Sequence, residues 1–386
     1  MAEHSLPLHG VVVVEFSTSV AGPFAGQILA DLGAEVFKVE NPQGGDDARL
    51  WGPPFIDGVS PVFQALNRNK RSLAVDLKDN GDRMALAAFI EARVDIVVQN
   101  LRPGLIERYH LDEKTLRDRK PELIYCNISA FGATGPKRMQ PGYDPLMQAC
   151  GGIMSTTGVE GQDPVRVGPS IVDQGAGMWS AIAIQSALLA RMKSGQGCTI
   201  DASLYETAIS WLQPQIANYL ASGKVPRRLG TENAGIAPYK AFKASDGWLV
   251  IAAGNDNLFA RLAKALERES WLQDLRFTSN PKRVEHRVAL NDLIQGVIET
   301  DQLGVWIERL QAAGVPVAPI LSIDEVLKDP QFSELGLLCD VPESQSRLLA
   351  LPLSFDGVRP EIRSGPPALG DATRMLNGYR QAGDGN

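Results

Sequence analysis

Apolar positions along the first half of the chain fall into two alternating rhythms. Residues 10–16, Gly-Val-Val-Val-Val-Glu-Phe, make a short β-branched run, the pattern of a parallel strand buried on both faces. Pro23 opens a helical pattern that runs to Leu32 and stops at Gly33. Residues 34–40 read as the next strand. Strand 72–77, helix 83–92 and strand 94–98 form a third unit, and helix 112–119 with strand 123–129 a fourth. Repetition of strand, crossover helix and strand predicts a parallel sheet with helices packed on it. Residues 175–192 follow as a long helix whose apolar side chains surround it almost fully, which predicts burial on all sides. A turn at Gly195-Gln-Gly197, a strand at 198–202 and a largely helical 203–220, kinked at Pro214, complete this rhythm.

The pattern then changes. Residues 226–235 are polar and rich in Arg and Gly, and read as a linker. Residues 239–244 and 248–253 flank Ser-Asp-Gly and predict a hairpin. Helical patterns follow at 258–265, 284–300 and 303–313, and residues 314–319 are extended. A second lobe, α+β, is therefore expected at 231–320. Beyond it the chain reads as helical to Lys328, then turn-rich, with an apolar stretch at 348–353 and a frayed tail after Arg380. There is no internal repeat.

Composition narrows the function classes. The chain has 386 residues and 44% hydrophobic content, enough for a large core and more than one lobe. A net charge of −7 gives no support to nucleic-acid binding. Cys126, Cys150, Cys198 and Cys339 are widely spaced, with no CxxC pair to suggest a disulfide framework or zinc. The histidines, His4, His9, His110 and His286, form no HExxH or other metal pattern, and no metal site is expected. The first residues lack the basic and apolar regions of a signal peptide, and the apolar run at 182–189 is too short to span a bilayer. The expectation is a soluble, cytoplasmic protein with no membrane partner.

Several segments carry candidate chemistry, each beside a plainer reading. Ala21-Gly-Pro-Phe-Ala-Gly26 follows a strand and opens a helix, and Glu40 ends the next strand where a ribose-binding acid would stand. The full GxGxxG is missing and Pro23 fills one slot, which argues against a nicotinamide dinucleotide. The same turn can still face another nucleotide-bearing ligand. Asn67-Arg-Asn-Lys-Arg71, with Arg102 and Arg108 around Asn100-Leu-Arg-Pro-Gly104, is either a solvated surface or a set of phosphate donors. Tyr143, in Gly142-Tyr-Asp144, is either an amphipathic residue at a core margin or a hydroxyl facing a substrate. Asp173, in Val167-Gly-Pro-Ser-Ile-Val-Asp-Gln-Gly-Ala-Gly177, stands just before the long helical pattern. An Asp there commonly does no more than satisfy the first-turn N–H groups. Trp51 is a gate or a lobe-edge residue, and Gly254-Asn255 a loop that closes a hairpin.

Taken in this order, the segments around 13–26, 65–78, 100–104 and 167–177 resemble family III CoA-transferases, the group that includes formyl-CoA transferase, carnitine CoA-transferase and alpha-methylacyl-CoA racemase. The resemblance runs from Gly10 to Tyr379. It implies a Rossmann-like large lobe with a parallel sheet plus a smaller α+β lobe, in an interlocked homodimer. The corresponding division is residues 1–205 for the first part of the large lobe and 206–230 for a linker helix and loop. Residues 231–320 form the small lobe, and 321–386 a linker with a C-terminal return to the large lobe.

The resemblance also assigns roles. Asp173 matches the catalytic nucleophile and Tyr143 the residue facing it. Val20, Ala21, Lys70, Arg71, Asn100, Leu101, Arg102 and Arg108 fall in CoA-binding segments. Trp51, Gly254 and Asn255 fall in substrate-lining ones. The reaction implied moves CoA from an acyl-CoA to a free carboxylic acid through anhydride and aspartyl-CoA thioester intermediates. CoA is then a substrate, and no tightly bound cofactor is needed. A carboxylate suits this role because its ordinary pKa leaves it ionised at neutral pH. Val20 replaces a Gln of formyl-CoA transferases, and the chain lacks room for their substrate-loop insertion, which argues against formyl-CoA and oxalate as the natural pair. Arg49 and Arg166 are candidates to meet a second carboxylate, as in succinate. An acyl-CoA racemase or epimerase would need a second acid–base group where this chain has Tyr143. A non-catalytic acyl-CoA-binding subunit would have no need of Asp173.

Overall fold

The computed structural model describes residues 6–380. The chain forms two compact units. The first holds residues up to Ile153, Arg166–Leu220 and the chain from Ser333 onward; the second holds Met154–Val165 and Ala221–Phe332.

The first unit is built on six parallel strands. They are β1 (Val12–Phe16), β2 (Glu35–Glu40), β3 (Lys70–Ala74), β4 (Ile96–Gln99), β5 (Ile124–Ser129) and β6 (Thr199–Ser203), in the order β3-β2-β1-β4-β5-β6. This is the doubly wound order, and its direction reverses between β1 and β4, where ligands of such sheets bind beyond the strand C-termini. Alternation along each strand divides the core into two layers. Val13, Ile96, Val98, Ile124 and Cys126 pack on one face; Val14, Phe16, Phe37, Val97 and Tyr125 pack on the other. The first layer is covered by α1 (Ala21–Asp31) and, much later in the chain, α8 (Ile171–Ser194). The second is covered by α3 (Asn80–Arg93) and α5 (Glu113–Arg119). The remaining short elements of this stretch are α2 (Pro61–Asn67), α4 (Leu105–Arg108), α6 (Asp144–Cys150) and a single turn, α7 (Ile153–Thr156).

Two devices position the site. The first is close helix packing. A Cβ on Gly177 of α8 would lie 2.7 Å from the Ala21 carbonyl and 3.2 Å from the Ala25 nitrogen, so only glycine lets the backbones of α1 and α8 meet there. The second is the C-terminal return. β3 is an edge strand, and its outward N–H groups need partners. Ser72 N–H donates to Asp371 at 2.6 Å, Ala74 N–H to Thr373 Oγ1 at 2.8 Å, and Ala372 N–H donates back to the Ser72 carbonyl at 2.9 Å. Phe89 and Tyr379 then meet edge to face at 5.5 Å.

Helix α8 departs from the expected burial on all sides. One face packs on the sheet through Val172, Ala176, Ser180 and Ile184, all buried, but Met178, Trp179, Ile182, Leu189 and Met192 are exposed in the single chain. A cylinder resting on one sheet can hide only the flank that faces it. The helices α9 (Leu204–Ser210) and α10 (Gln213–Ser222) continue the exposure with Trp211, Ile216, Tyr219 and Leu220.

The second unit holds a three-stranded antiparallel sheet, β7 (Tyr239–Lys243), β8 (Trp248–Ala252) and β9 (Val317–Pro319), with the predicted hairpin joining the first two. Its helices are α11 (Asp256–Ala265), α12 (Asn280–Glu285), α13 (Arg287–Ile298), α14 (Leu303–Ala312), α15 (Ile323–Val326) and α16 (Pro330–Glu334). Its core gathers Phe242, Leu249, Ile251, Phe259, Leu290, Ile294 and Trp306. The pattern at 284–300, read as one helix, is broken at His286, which ends α12 and starts α13. Back in the first unit, β10 (Leu338–Asp340) and β11 (Arg347–Leu349) pair antiparallel, and α17 (Asn377–Arg380) follows. The tail expected to fray lies outside the described residues.

Candidate active site

Asp173 lies inside the first turn of α8, not ahead of it as the sequence pattern places it. The helix has no side-chain cap from Ser170. Its first N–H groups are taken instead by a carboxylate from elsewhere. Asp144, buried at the start of α6, accepts from Val172 N–H at 2.8 Å and Asp173 N–H at 3.3 Å through one oxygen. Its other oxygen accepts from Gln148 at 2.6 Å, and Gln148 accepts from Val167 N–H at 2.8 Å. The capping task that an Asp at position 173 often performs thus falls to Asp144, and the Asp173 carboxylate is left to face a cleft.

That cleft measures about 320 Å³ and is lined within the first unit by Ser19, Val20 and Ala21, by Asn100, Leu101 and Arg102, and by Tyr143 and Asp173. It therefore opens at the β1/β4 switch point, beyond Phe16 and Gln99. Burial, followed by the like charge of Asp144, pushes the Asp173 carboxyl up from 3.8 to about 7. Both causes act against the ionised form that the ordinary carboxylate pKa predicts at neutral pH. The positive end of α8 works in the opposite direction, which favours the charge there. Tyr143 is exposed and forms the N-cap position of α6, next in the chain to Asp144.

A second hollow of about 220 Å³ adjoins this cleft through shared Thr18, Leu101 and Leu105. It is lined by Phe16, Val39, Leu77, Lys78 and Tyr109, with Glu40 at its wall. Lys78 is exposed there, a cation that sequence reasoning quoted within a segment but did not single out.

Other candidates fall elsewhere. Lys70 is buried, and its three ammonium protons go to Glu15 at 2.8 Å, the Pro23 carbonyl at 2.8 Å and Asn67 at 3.0 Å. No proton is left for a phosphate. Burial pulls it down to about 8 despite the Glu15 carboxylate beside it. Arg71 lies near the start of β3, at the sheet edge opposite the cleft, paired with Glu35 at 3.3 Å. Arg108 is exposed at the end of α4 and does not line the cleft. Arg102 does line it, and its guanidinium has no hydrogen-bond or ion-pair partner among the described residues.

Trp51 is 42% exposed, just after a 3-10 turn at Asp47–Leu50, and is not in the cleft wall, although Asp47 is. Gly254 and Asn255 belong to the second unit, where Asn255 caps α11 by accepting from Leu258 N–H at 2.9 Å. Arg49 is spent on Glu40 (2.8 and 2.7 Å) and the Pro367 carbonyl, so it meets an internal carboxylate rather than a substrate's. The same pairing, with Ser72 at 2.6 Å, occupies Glu40 and removes it as a ribose ligand. Arg166, exposed, donates to the carbonyls of Val167 and Gly168. Among the described residues no cluster of three or more His, Cys, Asp or Glu is arranged to hold a metal, and no helix is long and apolar enough to cross a membrane.

Asp144 was missed because its partner lies 28 residues away. The local signal that could have found it is an Asp-Pro pair opening a helix.

The raised Asp173 carboxyl carries a stability cost with a definite sign. Between about pH 4 and 7 the folded protein keeps a proton that the unfolded chain has released, so this group's contribution falls as pH rises and its full cost stands above pH 7. Asp173→Asn should raise the melting temperature at pH 8 by at least about 2 °C, with the gain fading toward pH 4. A melting difference independent of pH would refute this account. Asp144→Asn removes the like charge and should move the Asp173 titration, followed by carboxyl carbon NMR, to lower pH. An unmoved midpoint would assign the shift to burial alone.

Comparison with known proteins identifies the family of the chain. Residues 8–373 match the family described as CoA-transferase family III. The chain is 40% identical over 352 residues to a succinate–glutarate CoA-transferase of Agrobacterium fabrum, covering 88% of this chain and 86% of that one. It is 35% identical over 373 residues to a succinyl-CoA:glutarate CoA-transferase of Homo sapiens, covering 96% and 85%. A solved CAIB/BAIF family protein from Brucella suis superposes with a TM-score of 0.87 at 38% identity, over 97% of this chain and 99% of that one. With a family model spanning nearly the whole chain and relatives aligned over most of both chains, this protein belongs to CoA-transferase family III and is an enzyme of that type.

Proposed function

We propose that this enzyme moves CoA between an acyl-CoA and a short dicarboxylic acid, with Asp173 as the nucleophile. The observation that carries the reading is the placement of Asp173. It is a carboxylate released from capping its own helix and set in a cleft with Tyr143 and the first turn of α1. Relatives named for succinate, glutarate, citramalate and mesaconate supply the substrate class.

In this reading an Asp173 oxygen attacks the thioester carbonyl of the donor. The C–S bond breaks, CoA leaves as its thiolate, and a mixed anhydride remains on Asp173. The thiolate then attacks the Asp173 carbonyl, frees the donor acid and leaves an aspartyl-CoA thioester. The acceptor carboxylate attacks that thioester, and the two steps run in reverse. Thioester energy is kept in covalent intermediates throughout. Each tetrahedral oxyanion needs donors, and the first turn of α1 has no side-chain cap and lines the cleft at Val20 and Ala21. The Tyr143 hydroxyl can donate to an acyl oxygen. Val20, Ala21, Asn100, Leu101 and Arg102 line the cleft with Asp173, which supports giving them the thioester end of CoA in this reading. The adjoining hollow with Lys78 suits its nucleotide end. Lys70, Arg71 and Arg108 have no part in this assignment.

We also propose a homodimer in a reducing cytoplasm. Large apolar side chains stand exposed along α8 and α10, among them Trp179, Ile182, Leu189, Met192 and Leu220, which supports a partner surface there, and all four cysteines are free thiols. Light scattering at micromolar protein should report twice the chain mass of 41.7 kDa; a monomer at that concentration would remove the dimer from the reading.

The deciding experiment is incubation with succinyl-CoA, trapping with hydroxylamine and peptide mapping by mass spectrometry. The expected product is a hydroxamate at Asp173, and Asp173→Ala should lose at least about a thousandfold in transfer rate. A protein that binds succinyl-CoA but stays unlabelled at Asp173 would overturn the assignment.

A further inference from the structure

Beneath the cleft floor lies a charged cluster buried within the sheet. Glu15 is on β1, Lys38 and Glu40 are on β2, Lys70 is on β3, and Asp46 and Arg49 are in the segment that follows β2. Lys38 meets Glu15 at 3.2 Å and Asp46 at 2.9 Å, all three side chains fully shielded from solvent. Burial pulls the Lys38 ammonium down, but Glu15, Asp46 and Glu40 outweigh it and leave it raised. Three acids and three bases balance, so the cluster adds no net charge to the core.

The cluster grips the loop between β1 and α1. Lys38 donates to the Ser17 carbonyl at 2.6 Å. One Asp46 oxygen accepts from Ser19 N–H at 3.2 Å and from Ala48 N–H at 3.0 Å. Asn100 takes both sides of Thr18, accepting from its N–H at 3.0 Å and donating to its carbonyl at 2.9 Å. Three consecutive residues are thus held by side chains from other elements. They need holding, because Ser19 has a φ of +67°, a left-handed conformation that a non-glycine residue adopts at a cost.

What the grip fixes is the head of α1. Val20 and Ala21 follow Ser19 directly and line the cleft with Asp173. The Ala21 carbonyl touches α8 at Gly177, one turn beyond Asp173. We propose that Asp46 and Lys38 are positioning residues for acyl transfer: through residues 17–19 they hold the uncapped first turn of α1 in place beside Asp173. This rests on the reading of Asp173 as the nucleophile. Asp46 borders the adjoining hollow, but its side chain and that of Lys38 are fully shielded from solvent, so both act through the backbone.

The test is the single-turnover rate at which succinyl-CoA labels Asp173, per folded molecule, in Asp46→Ala, Asp46→Ser and Asp46→Asn, with the affinity for free CoA measured by calorimetry. A shift of the loop by a fraction of an ångström should slow D46A and D46S labelling at least about tenfold, while CoA affinity stays within about threefold of wild type. D46N keeps an oxygen for Ser19 N–H and should retain most of the rate. If the carboxylate only held the fold, the melting temperature would fall while labelling per folded molecule kept its wild-type rate, and that result overturns the proposal; D46S serves if D46A does not fold. A wild-type protein that takes no label overturns the nucleophile reading instead, and the proposal with it.

Discussion

The arrangement of this site depends on which carboxylate caps helix α8. A helix start leaves its first N–H groups without partners, and Asp173, in the first turn, is of a type that often supplies one. Here the buried Asp144 does so from 28 residues away, with both of its oxygens occupied. The exchange has two consequences. It ties α6, and with it Tyr143, to the head of α8. It also places a second negative charge beside Asp173, which together with burial raises its carboxyl to about 7. A single interaction therefore sets both the geometry and the charge state of the group that faces the cleft.

A carboxylate whose charged form is disfavoured by burial and by a like charge is in tension with stability. Its burial is unfavourable for the charged form and gains the fold nothing, the kind of local cost that functional sites carry. The rest of the first unit can bear it. Its central strands are buried on both faces, its exposed edge at β3 is closed by Asp371 and Thr373, and its interior charges are paired and hydrogen-bonded. The glycines once considered as phosphate-binding turns serve this packing instead. A Cβ on Gly26 would collide with the Glu15 carboxylate, and one on Gly22 with the Ser17 side chain. The β1–α1 turn is thus shaped by what lies beneath it.

Much of the large unit was legible from local pattern. The β-branched run at 10–16 carries the signal of a doubly buried strand, and it and the runs read as strands at 34–40, 94–98 and 123–129 each contain a strand of the parallel sheet. The segments that resemble CoA-transferases also brought Val20, Ala21, Asn100, Leu101, Arg102, Tyr143 and Asp173 to one cleft. Charge was less legible. Lys70 and Arg49 looked like ligand donors and are internal ion-pair partners. Arg71 lies near the start of the edge strand β3, away from the cleft, and pairs with Glu35. The all-round apolar character of 175–192 was read correctly as composition, but the single chain covers only one side of that helix.

The sequence by itself determined the elements, the parallel α/β architecture and the family, because these follow from periodicity and from motifs in a set order. Tertiary structure alone decided which charges face the cleft and which are consumed inside. A lysine on a strand looks the same locally whether its partner is a phosphate or Glu15, 55 residues away. Burial, and the pairing and pKa shifts that burial enforces, depend on atoms brought together from distant segments. No window of sequence contains them.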